Sequence, residues 1–226
     1  MSYIIAVDKP WCKDFDLRLS KKLNSKFIEI TDGYSLNLKY LEKIKPKKIF
    51  FPFWSNIIKK EIYEKYECVI FHMTDLPFGR GGSPLQNLII RNFKETKISA
   101  LKCEKIIDAG PVYLKEDLNL NGSAEEIYIR ASEVIEKMIE NIILMKLKPK
   151  KQNGKVIKFS RRKKDDGDWS KSKSLDEVYN YIRMLDSEHY PKSYVKIGKF
   201  VLEFSECNKR LEHLSAKVII KKEENE

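Results

Sequence analysis

The chain has 226 residues, of which 42% are hydrophobic and 34% are charged, and its formal net charge is +11. This length predicts one large domain, with or without a small appendage, and the apolar content is sufficient for a packed core. The N-terminal apolar run is too short for a signal peptide, and no run approaches the roughly 18 residues of a membrane span. We therefore expect a soluble, cytoplasmic protein.

The first 72 residues alternate between short apolar runs and helical patterns. The predicted strands lie at 3–7, 26–30, 48–53 and 68–72, and the predicted helices at 14–23, 35–44 and 56–66. Near-continuous apolar strands that alternate with helices are typical of a parallel sheet buried on both faces. The pattern therefore predicts an open α/β fold with helices flanking a mostly parallel sheet.

A glycine-rich loop follows the fourth predicted strand, in the stretch FHMTDLPFGRGGSP at 71–84. It lacks the lysine and hydroxyl of a nucleotide-hydrolysing P-loop, and it does not match the G-x-G-x-x-G dinucleotide fingerprint. Ser83, Pro84 and Gln86 predict a helix start with a capping box directly after the loop. Ligands of open α/β sheets bind at the carboxyl ends of strands, so this loop is either an ordinary turn or a pocket wall.

Two more strands are predicted at 97–104 and 110–118, before a long helix. That helix starts at a second capping box, formed by Ser123 and Glu126, and its apolar residues follow helical spacing. The sequence therefore predicts that this helix packs against the core.

The Lys-, Pro- and Gly-rich segment at 146–155 predicts a linker. A predicted helix at 174–185 and a hairpin that turns at Gly198 then form a small α+β appendage. We expect a catalytic domain at 1–148 and a small C-terminal subdomain at 149–226.

Residues 146–175 hold twelve Lys or Arg against three Asp, while the rest of the chain is close to balanced. This basic segment favours a polyanionic partner, namely nucleic acid, anionic lipid or a substrate with a pyrophosphate. A solvated lysine-rich linker explains the same charge equally well.

His72 is the histidine best placed for acid–base chemistry. It ends an apolar strand at the sheet edge, whereas His189 lies in a loop-like context and His213 in a polar C-terminal stretch. Asp108 lies at another strand-to-loop junction, before a Gly-Pro turn, so both side chains can face one pocket. Spacing alone is also compatible with structural roles. The four cysteines are widely spaced without a C-x-x-C pair, so we expect reduced thiols and no metal site.

Four collinear segments between about residues 70 and 200 resemble folate-dependent formyltransferases. HMTDLPFGRGGSP resembles the family's H-P-S-L-L-P-x-x-R-G-x-x-P segment, and IIDAGPVY resembles its D-x-G-P-I signature. FSRRKKDDGDWS and IRMLDSEHYPKSYVKIG resemble the stretch after the linker in methionyl-tRNA and sugar N-formyltransferases. The first segment most resembles small bacterial sugar formyltransferases that act on nucleotide-linked amino sugars, including the pseudaminic-acid-pathway type.

The resemblance implies transfer of a formyl group from N10-formyltetrahydrofolate to an amine. It assigns His72 to polarise the formyl carbonyl, and Asp108 to orient His72 and help remove a proton from the attacking amine. It places the folate against Leu76, Gly81, Gly82, Ser83 and Gly110. About 70 residues precede the histidine, fewer than in typical members, so a truncated Rossmann-like sheet is implied.

Position 70 departs from the family pattern, because it is Ile where the family has an Asn that donates to the developing oxyanion. Loss of such a donor typically costs about 10²–10³ in turnover. Thr74 is a nearby hydroxyl, although a loop-capping role is the more ordinary interpretation.

For the substrate, we expect an amine on a nucleotide-linked amino sugar, such as a UDP-4-amino-4,6-dideoxy sugar, and thus a role in carbohydrate biosynthesis. The residues expected to contact this substrate are Asp75, Arg161, Arg162 and Trp169. Nucleic acid and membrane are not expected partners. A homodimer through the C-terminal hairpin is compatible with the sequence.

Other formyltransferases remain alternatives. A methionyl-tRNA formyltransferase uses the same chemistry, but it normally carries a longer C-terminal β-barrel than about 70 residues supply. A glycinamide ribonucleotide formyltransferase lacks the RRKKDDGDW region, and a peptide-synthetase formylation domain is closer in its shortened N-terminus. A non-catalytic α/β module that binds nucleic acid explains the basic segment but not the four motifs.

Overall fold

The computed structural model describes residues 1–188 and 190–223, so His189 and the last three residues of the predicted solvated tail lie outside the described part. Four strands, with helices between them, occupy the first 72 residues. The strands are β1 (Ser2–Ala6), β2 (Lys26–Ile30), β3 (Ile49–Phe51) and β4 (Cys68–His72). The helices are α1 (Phe15–Leu23), α2 (Leu38–Ile44) and α3 (Lys60–Lys65). Every predicted element of this region is present, although β3, α2 and α3 are shorter than predicted.

After β4 the chain forms β5 (Arg80–Gly81), α4 (Pro84–Ile90), β6 (Glu95–Lys102), β7 (Val112–Asn119) and the long helix α5 (Ala124–Leu144). Six of these strands form one sheet in the order β2-β1-β3-β4-β6-β7. β1 pairs in parallel with β2 and β3, and β3 with β4, whereas β6 runs antiparallel to β4. The predicted α/β, Rossmann-like, mostly parallel architecture is therefore confirmed. No helix in the described part of the chain, α5 included, has the length and apolarity needed to cross a bilayer.

Side-chain alternation gives the first four strands two buried faces. One face carries an apolar cluster that includes Ile4, Ala6, Ile30, Ile49, Phe51 and Cys68. The other carries an aromatic row that crosses β2, β1, β3 and β4 in order: Phe27, Tyr3, Phe50 and Phe71. Neighbouring ring centroids in this row lie 5.0, 6.3 and 6.5 Å apart. Because His72 directly follows Phe71, the alternation places His72 on the face opposite the aromatic row.

The sequence predicts capping boxes at two helix starts, and the structure contains one of them. At the start of α5, Ser123 Oγ accepts a hydrogen bond from the Glu126 amide, and the Glu126 carboxylate accepts one from the Ser123 amide. At the start of α4 the prediction is wrong, because Ser83 is left-handed (φ 49°) and makes no capping bond with its side chain. Its hydroxyl instead accepts a hydrogen bond from the Arg162 amide at 3.0 Å.

The chain divides into two compact units with interleaved sequence ranges. The first unit comprises Met1–Gly81, Thr96–Leu118 and Ile129–Lys158. The second unit comprises Gly82–Glu95, Asn119–Tyr128 and Phe159–Glu226. The predicted domain boundary between residues 148 and 149 stays a prediction.

After the predicted linker, the chain contains two strands that the sequence does not predict, one short and one long. After β8 (Lys158–Phe159), the predicted helix is α6 (Leu175–Leu185), and the predicted hairpin is β9 (Ser193–Ile197) and β10 (Phe200–Lys209). Gly198 turns between β9 and β10 with φ 58°, as predicted. The additional strand β11 (Leu214–Lys222) pairs antiparallel with β10. The lysines of β11 make its sequence resemble the charged tail that follows. The strand is therefore identified only by its pairing with β10.

This small sheet carries exposed apolar side chains on one face. The strand register places Ile197, Phe200, Val218 and Ile220 on the same side, and all four are exposed. Exposed apolar patches of this kind often mark interaction surfaces. The homodimer expected through this region stays a prediction.

Replacing Phe50 with Ala is expected to lower the free energy of unfolding by about 3–5 kcal/mol. The ring is fully buried in the aromatic row, between Tyr3 and Phe71. Urea denaturation followed by circular dichroism measures the change. The control is Leu17→Ala on α1, where the side chain is 65% exposed and the expected change is below about 0.5 kcal/mol. Equal stability of the two variants would contradict this packing.

Candidate active site

β4 ends at His72, whose side chain is almost completely buried. Its Nε2 lies 2.7 Å from the carbonyl oxygen of Gly79, a distance at which the ring N–H donates a hydrogen bond. The hydroxyl of Thr74, also buried, points at the same carbonyl at 3.5 Å. The glycine-rich loop therefore folds back onto the histidine that precedes it.

Asp108 contacts the other nitrogen of the same ring. Its Oδ2 lies 3.6 Å from His72 Nδ1 and accepts a hydrogen bond from the Gly81 amide at 2.9 Å. Like His72, Asp108 is buried, with 8% exposure. The structure thus brings together the two side chains that the sequence predicts as a pair.

Both ring nitrogens of His72 consequently face an oxygen. A neutral imidazole carries a single N–H, whereas the doubly protonated ring donates at both nitrogens. The Gly79 carbonyl can accept only from an N–H at Nε2, and the Asp108 carboxylate lies 3.6 Å from Nδ1, just beyond hydrogen-bond distance. The pair is therefore suited to holding a proton at one of the ring nitrogens and delivering it to a reacting group.

The loop that carries Asp108 has a constrained backbone. Asp108 is left-handed, with φ 54°, a region that few residues other than glycine adopt. At Gly110, a Cβ atom would lie 1.9 Å from the carbonyl oxygen of Lys102, so only glycine fits there. Close backbone approach at Gly81 and Gly110 is therefore real, but the neighbours are the Asp108 carboxylate and the protein backbone. Their contact with folate stays a prediction.

The start of the glycine-rich loop is held by hydrogen bonds within the first unit. The Leu76 amide donates to Ser99 Oγ at 3.2 Å, and Ser99 Oγ donates to the Thr74 carbonyl at 2.7 Å. The side chain of Leu76 is 1% exposed. Asp75 is half-exposed and forms an ion pair with Lys115. The ligand contacts expected of Leu76 and Asp75 stay predictions.

The remaining predicted site residues lie in the second unit, where they are engaged by protein neighbours. A Cβ atom at Gly82 would lie 2.6 Å from Arg161 Cα. The Arg162 guanidinium donates to the Asp166 carbonyl, and the Trp169 ring packs edge-on against Phe204. The side-chain amide nitrogen of Asn87 donates to the carbonyls of Gly82, Ser83 and Ser160. These contacts with protein neighbours explain the residue types at Gly82, Ser83 and Trp169 without a ligand. The ligand contacts expected of these residues stay predictions.

Ile70, at the position of the family's Asn, packs against the apolar cluster of the sheet. It contributes no donor near His72. The neighbouring thiol of Cys103 is also unsuited to catalysis, because burial, followed by the Asp108 and Glu104 carboxylates, raises its pKa to about 11. The thiol is protonated at neutral pH and is a poor nucleophile. The catalytic roles of His72 and Asp108 stay predictions.

Two residues that the sequence analysis did not single out complete the site. Gln152 donates to the carbonyls of Asp108 and Gly110, and Arg80 donates to Gln152. Gln152 falls in the segment predicted as a linker, and nothing in the local pattern distinguishes it from an ordinary solvated amide.

A cavity of about 400 Å³ lies elsewhere in the first unit, at the end of β2. None of the predicted site residues lines it. Its carboxylate, Asp32, already accepts hydrogen bonds from the Tyr34 and Ser35 amides and from the Ser35 hydroxyl. We therefore assign Asp32 to the turn after β2 and not to the candidate active site.

A solved structure, methionyl-tRNA formyltransferase from Clostridium thermocellum, is similar to the chain over nearly all of its length. The two share 44% identity over 98% of this chain and 99% of that chain, with a TM-score of 0.95. The chain belongs to the folate-dependent formyltransferase family. The predictions of a formyltransferase and of N10-formyltetrahydrofolate as co-substrate are confirmed at the level of this family.

Two further comparisons match parts of the chain. Residues 164–221 match the model of the methionyl-tRNA formyltransferase C-terminal domain. The methionyl-tRNA formyltransferase of Thermodesulfovibrio yellowstonii is 27% identical over 154 residues, which are 65% of this chain and 50% of that protein. The chain spans about half the length of the curated relatives it matches.

The prediction of a nucleotide-linked amino sugar as substrate is wrong, as is the resemblance to the pseudaminic-acid-pathway type. A sugar N-formyltransferase from Shewanella is only 14% identical, with a TM-score of 0.67 over 87% of this chain and 93% of that chain, and shows the fold alone. The higher identity to the methionyl-tRNA enzyme also overturns the expected role in carbohydrate biosynthesis and the expectation that nucleic acid is not a partner. The error has a physical reason. Arg161, Arg162 and the other basic residues attract phosphate oxygens, which pyrophosphates and RNA share.

Replacing Gly110 with Ala is expected to destabilise the first unit by about 1–3 kcal/mol or more, because the new Cβ would overlap the Lys102 carbonyl. Urea denaturation measures the loss. Gly33→Ala is the matched control, since its Cβ would meet only the Asn56 side chain at ordinary contact distance, 3.5 Å. If Gly110→Ala were as stable as Gly33→Ala, this would contradict the close approach of Gly110 to the Lys102 carbonyl.

Proposed function

We propose that this protein transfers the formyl group of N10-formyltetrahydrofolate to the α-amine of methionyl-tRNA. The observation that carries the proposal is the similarity to methionyl-tRNA formyltransferase from Clostridium thermocellum, at 44% identity over nearly the whole of both chains. The match of residues 164–221 to the C-terminal domain of that class supports the same substrate.

The site residues suit this chemistry. An amine attacks only when it is neutral, and negative charge develops on the oxygen of the group that it attacks. We assign His72 to donate a ring N–H to that oxygen, and Asp108, 3.6 Å from Nδ1, to orient the ring. A positioned acid–base pair of this kind typically contributes about 10²–10⁴-fold. Ile70 has no amide group that could donate a hydrogen bond to this oxygen. In this proposal, His72 therefore provides the stabilisation.

The loop around Asp108 also fits a flat, partly apolar co-substrate. N10-formyltetrahydrofolate supplies the one-carbon group when it is bound. Ile106 and Ile107, directly before Asp108, are 69% and 73% exposed, an unusual exposure for large aliphatic side chains. They offer an apolar surface for a ring system within two residues of the carboxylate.

The basic segment at 146–175 fits an RNA partner. Its twelve Lys or Arg against three Asp provide a local excess of positive charge, and most of these side chains are exposed. Cations that contact phosphates release condensed counterions, so affinity for RNA falls steeply with salt. This segment thus supplies an electrostatic contact for the tRNA part of the proposed substrate.

With methionyl-tRNA and N10-formyltetrahydrofolate, we expect formyl-methionyl-tRNA to form together with stoichiometric tetrahydrofolate. The KM for methionyl-tRNA should rise several-fold between 50 and 200 mM salt, because phosphate contacts dominate binding. Acid-gel separation of the tRNA and absorbance of the released folate measure both quantities. A UDP-linked amino sugar is the negative control. Absence of formylated tRNA would refute the proposed function.

The His72→Ala and Asp108→Asn variants are expected to lose about 10²–10⁴-fold in kcat, because each removes one half of the acid–base pair. Circular dichroism and thermal melting check that both variants fold. His213→Ala is the matched histidine control, since His213 is exposed, and it should retain wild-type kcat. Full activity in either site variant would refute the role given to that residue.

A further inference from the structure

The segment predicted as a linker is hydrogen bonded to other parts of the first unit at Lys150 and Gln152, and the chain is bonded again just after it, at Ile157. Lys150 exchanges two backbone hydrogen bonds with Val112 at the start of β7, both 2.8 Å long. Seven residues later, Ile157 accepts a hydrogen bond from the Arg80 amide and donates one to the Pro77 carbonyl. We call residues 150–157 the strap, because they connect the start of β7 to the glycine-rich loop.

The side chain of Gln152 lies at the centre of the strap and bonds on both sides. Its Nε2 donates to the carbonyls of Asp108 and Gly110, at 2.8 Å each. Its Oε1 accepts from Nε of Arg80 at 3.1 Å and from a terminal guanidinium nitrogen of Arg80 at 2.7 Å. Both donor hydrogens and the acceptor of this amide are therefore used.

These contacts require an amide and fix its orientation. A guanidinium can only donate and a carbonyl can only accept, so the oxygen of Gln152 must face Arg80 and its nitrogen must face the Asp108 loop. A carboxylate of the same shape would keep the contact with Arg80. It would place an oxygen without a hydrogen against two carbonyl oxygens, and the Asp108 loop would lose both bonds.

The Asp108 loop needs such support because its backbone is unfavourable. Asp108 is left-handed, at φ 54°, and such a residue keeps this conformation only where its surroundings impose it. Gly110 is pressed against the Lys102 carbonyl on one side, and Gln152 holds the carbonyls of residues 108 and 110 from the strap.

The result is a closed ring of contacts around Asp108. The Gly81 amide holds its carboxylate, and the side chain of the preceding residue, Arg80, holds its main chain through Gln152. One dipeptide of the glycine-rich loop therefore fixes both ends of Asp108. A shift of that carboxylate would change its 3.6 Å contact with His72 Nδ1.

We propose that Gln152 is the positioning residue of this site: it holds the Asp108 loop in the conformation in which the carboxylate meets His72. Gln152 acts through Asp108 and does not itself touch the reacting groups. The catalytic part of this inference rests on the proposed function.

The test compares Gln152→Glu with Asn153→Asp. The two changes are chemically identical and adjacent, but Asn153 is exposed. We expect Gln152→Glu to lower kcat for methionyl-tRNA formylation by about 10²-fold, the cost of a small misplacement of a catalytic group. The KM for methionyl-tRNA should change equally in the two variants, because each places one negative charge in the basic segment at 146–175. Asn153→Asp should keep the wild-type kcat.

Two readouts do not depend on activity. Hydrogen exchange of the peptide that covers residues 105–111 should be faster in Gln152→Glu than in Asn153→Asp. The ring resonances of His72, identified among three histidines by their loss in His72→Ala, should shift only in Gln152→Glu. If the wild type does not formylate methionyl-tRNA, the proposed function fails, and these two readouts still decide the role of Gln152.

Gln152→Asn keeps the amide and shortens its reach, so it provides the same test if Gln152→Glu does not fold. A kcat equal to that of Asn153→Asp, or an unchanged His72 resonance and unchanged exchange at 105–111, would overturn the proposal. A loss of kcat that thermal unfolding fully accounts for, with His72 unshifted in the folded protein, would also overturn it.

Discussion

The burial of the Asp108 carboxylate is the constraint on which the candidate site depends. A buried carboxylate is costly unless it is paired and hydrogen bonded, and Asp108 meets this condition with His72 and the Gly81 amide. The left-handed backbone at Asp108 and the tight approach at Gly110 lie in the loop that carries this carboxylate. The glycine-rich loop supplies an amide donor to Asp108 and a carbonyl acceptor to His72.

The positive charge of the basic segment does not by itself distinguish between the two candidate substrates. Both a pyrophosphate and an RNA backbone present phosphate oxygens to cations, so the basic segment at 146–175 is compatible with either. The proposal of methionyl-tRNA in place of a nucleotide sugar rests on similarity over nearly the whole chain. The structure adds that Trp169, expected to cover a base or sugar, packs against Phe204.

Most of the fold follows from local patterns, and the differences have identifiable causes. Strands β1 to β4 are apolar enough to be predicted from their own sequences, without knowledge of the strands they pair with. The start of helix α5 is predicted by a capping box that the structure contains. Ser83 also begins a capping-box sequence. Its hydroxyl nevertheless accepts a hydrogen bond from the backbone amide of Arg162, 79 residues away in the chain. β11 was not predicted because three of its nine residues are lysines, and its strand conformation is determined by pairing with β10.

The sequence by itself determined the α/β class, offered His72 and Asp108 as a candidate pair and, through four motifs, indicated the formyltransferase family, because strand periodicity and short motifs are local properties. Only the tertiary structure decided that Ile70 belongs to the apolar cluster, that Gly110 faces the Lys102 carbonyl, and that Gln152 joins Arg80 to the Asp108 loop. Each of these depends on contacts between residues far apart in the chain. A hydrogen bond such as that between Gln152 and Asp108 spans 44 residues and leaves no periodic trace in either segment.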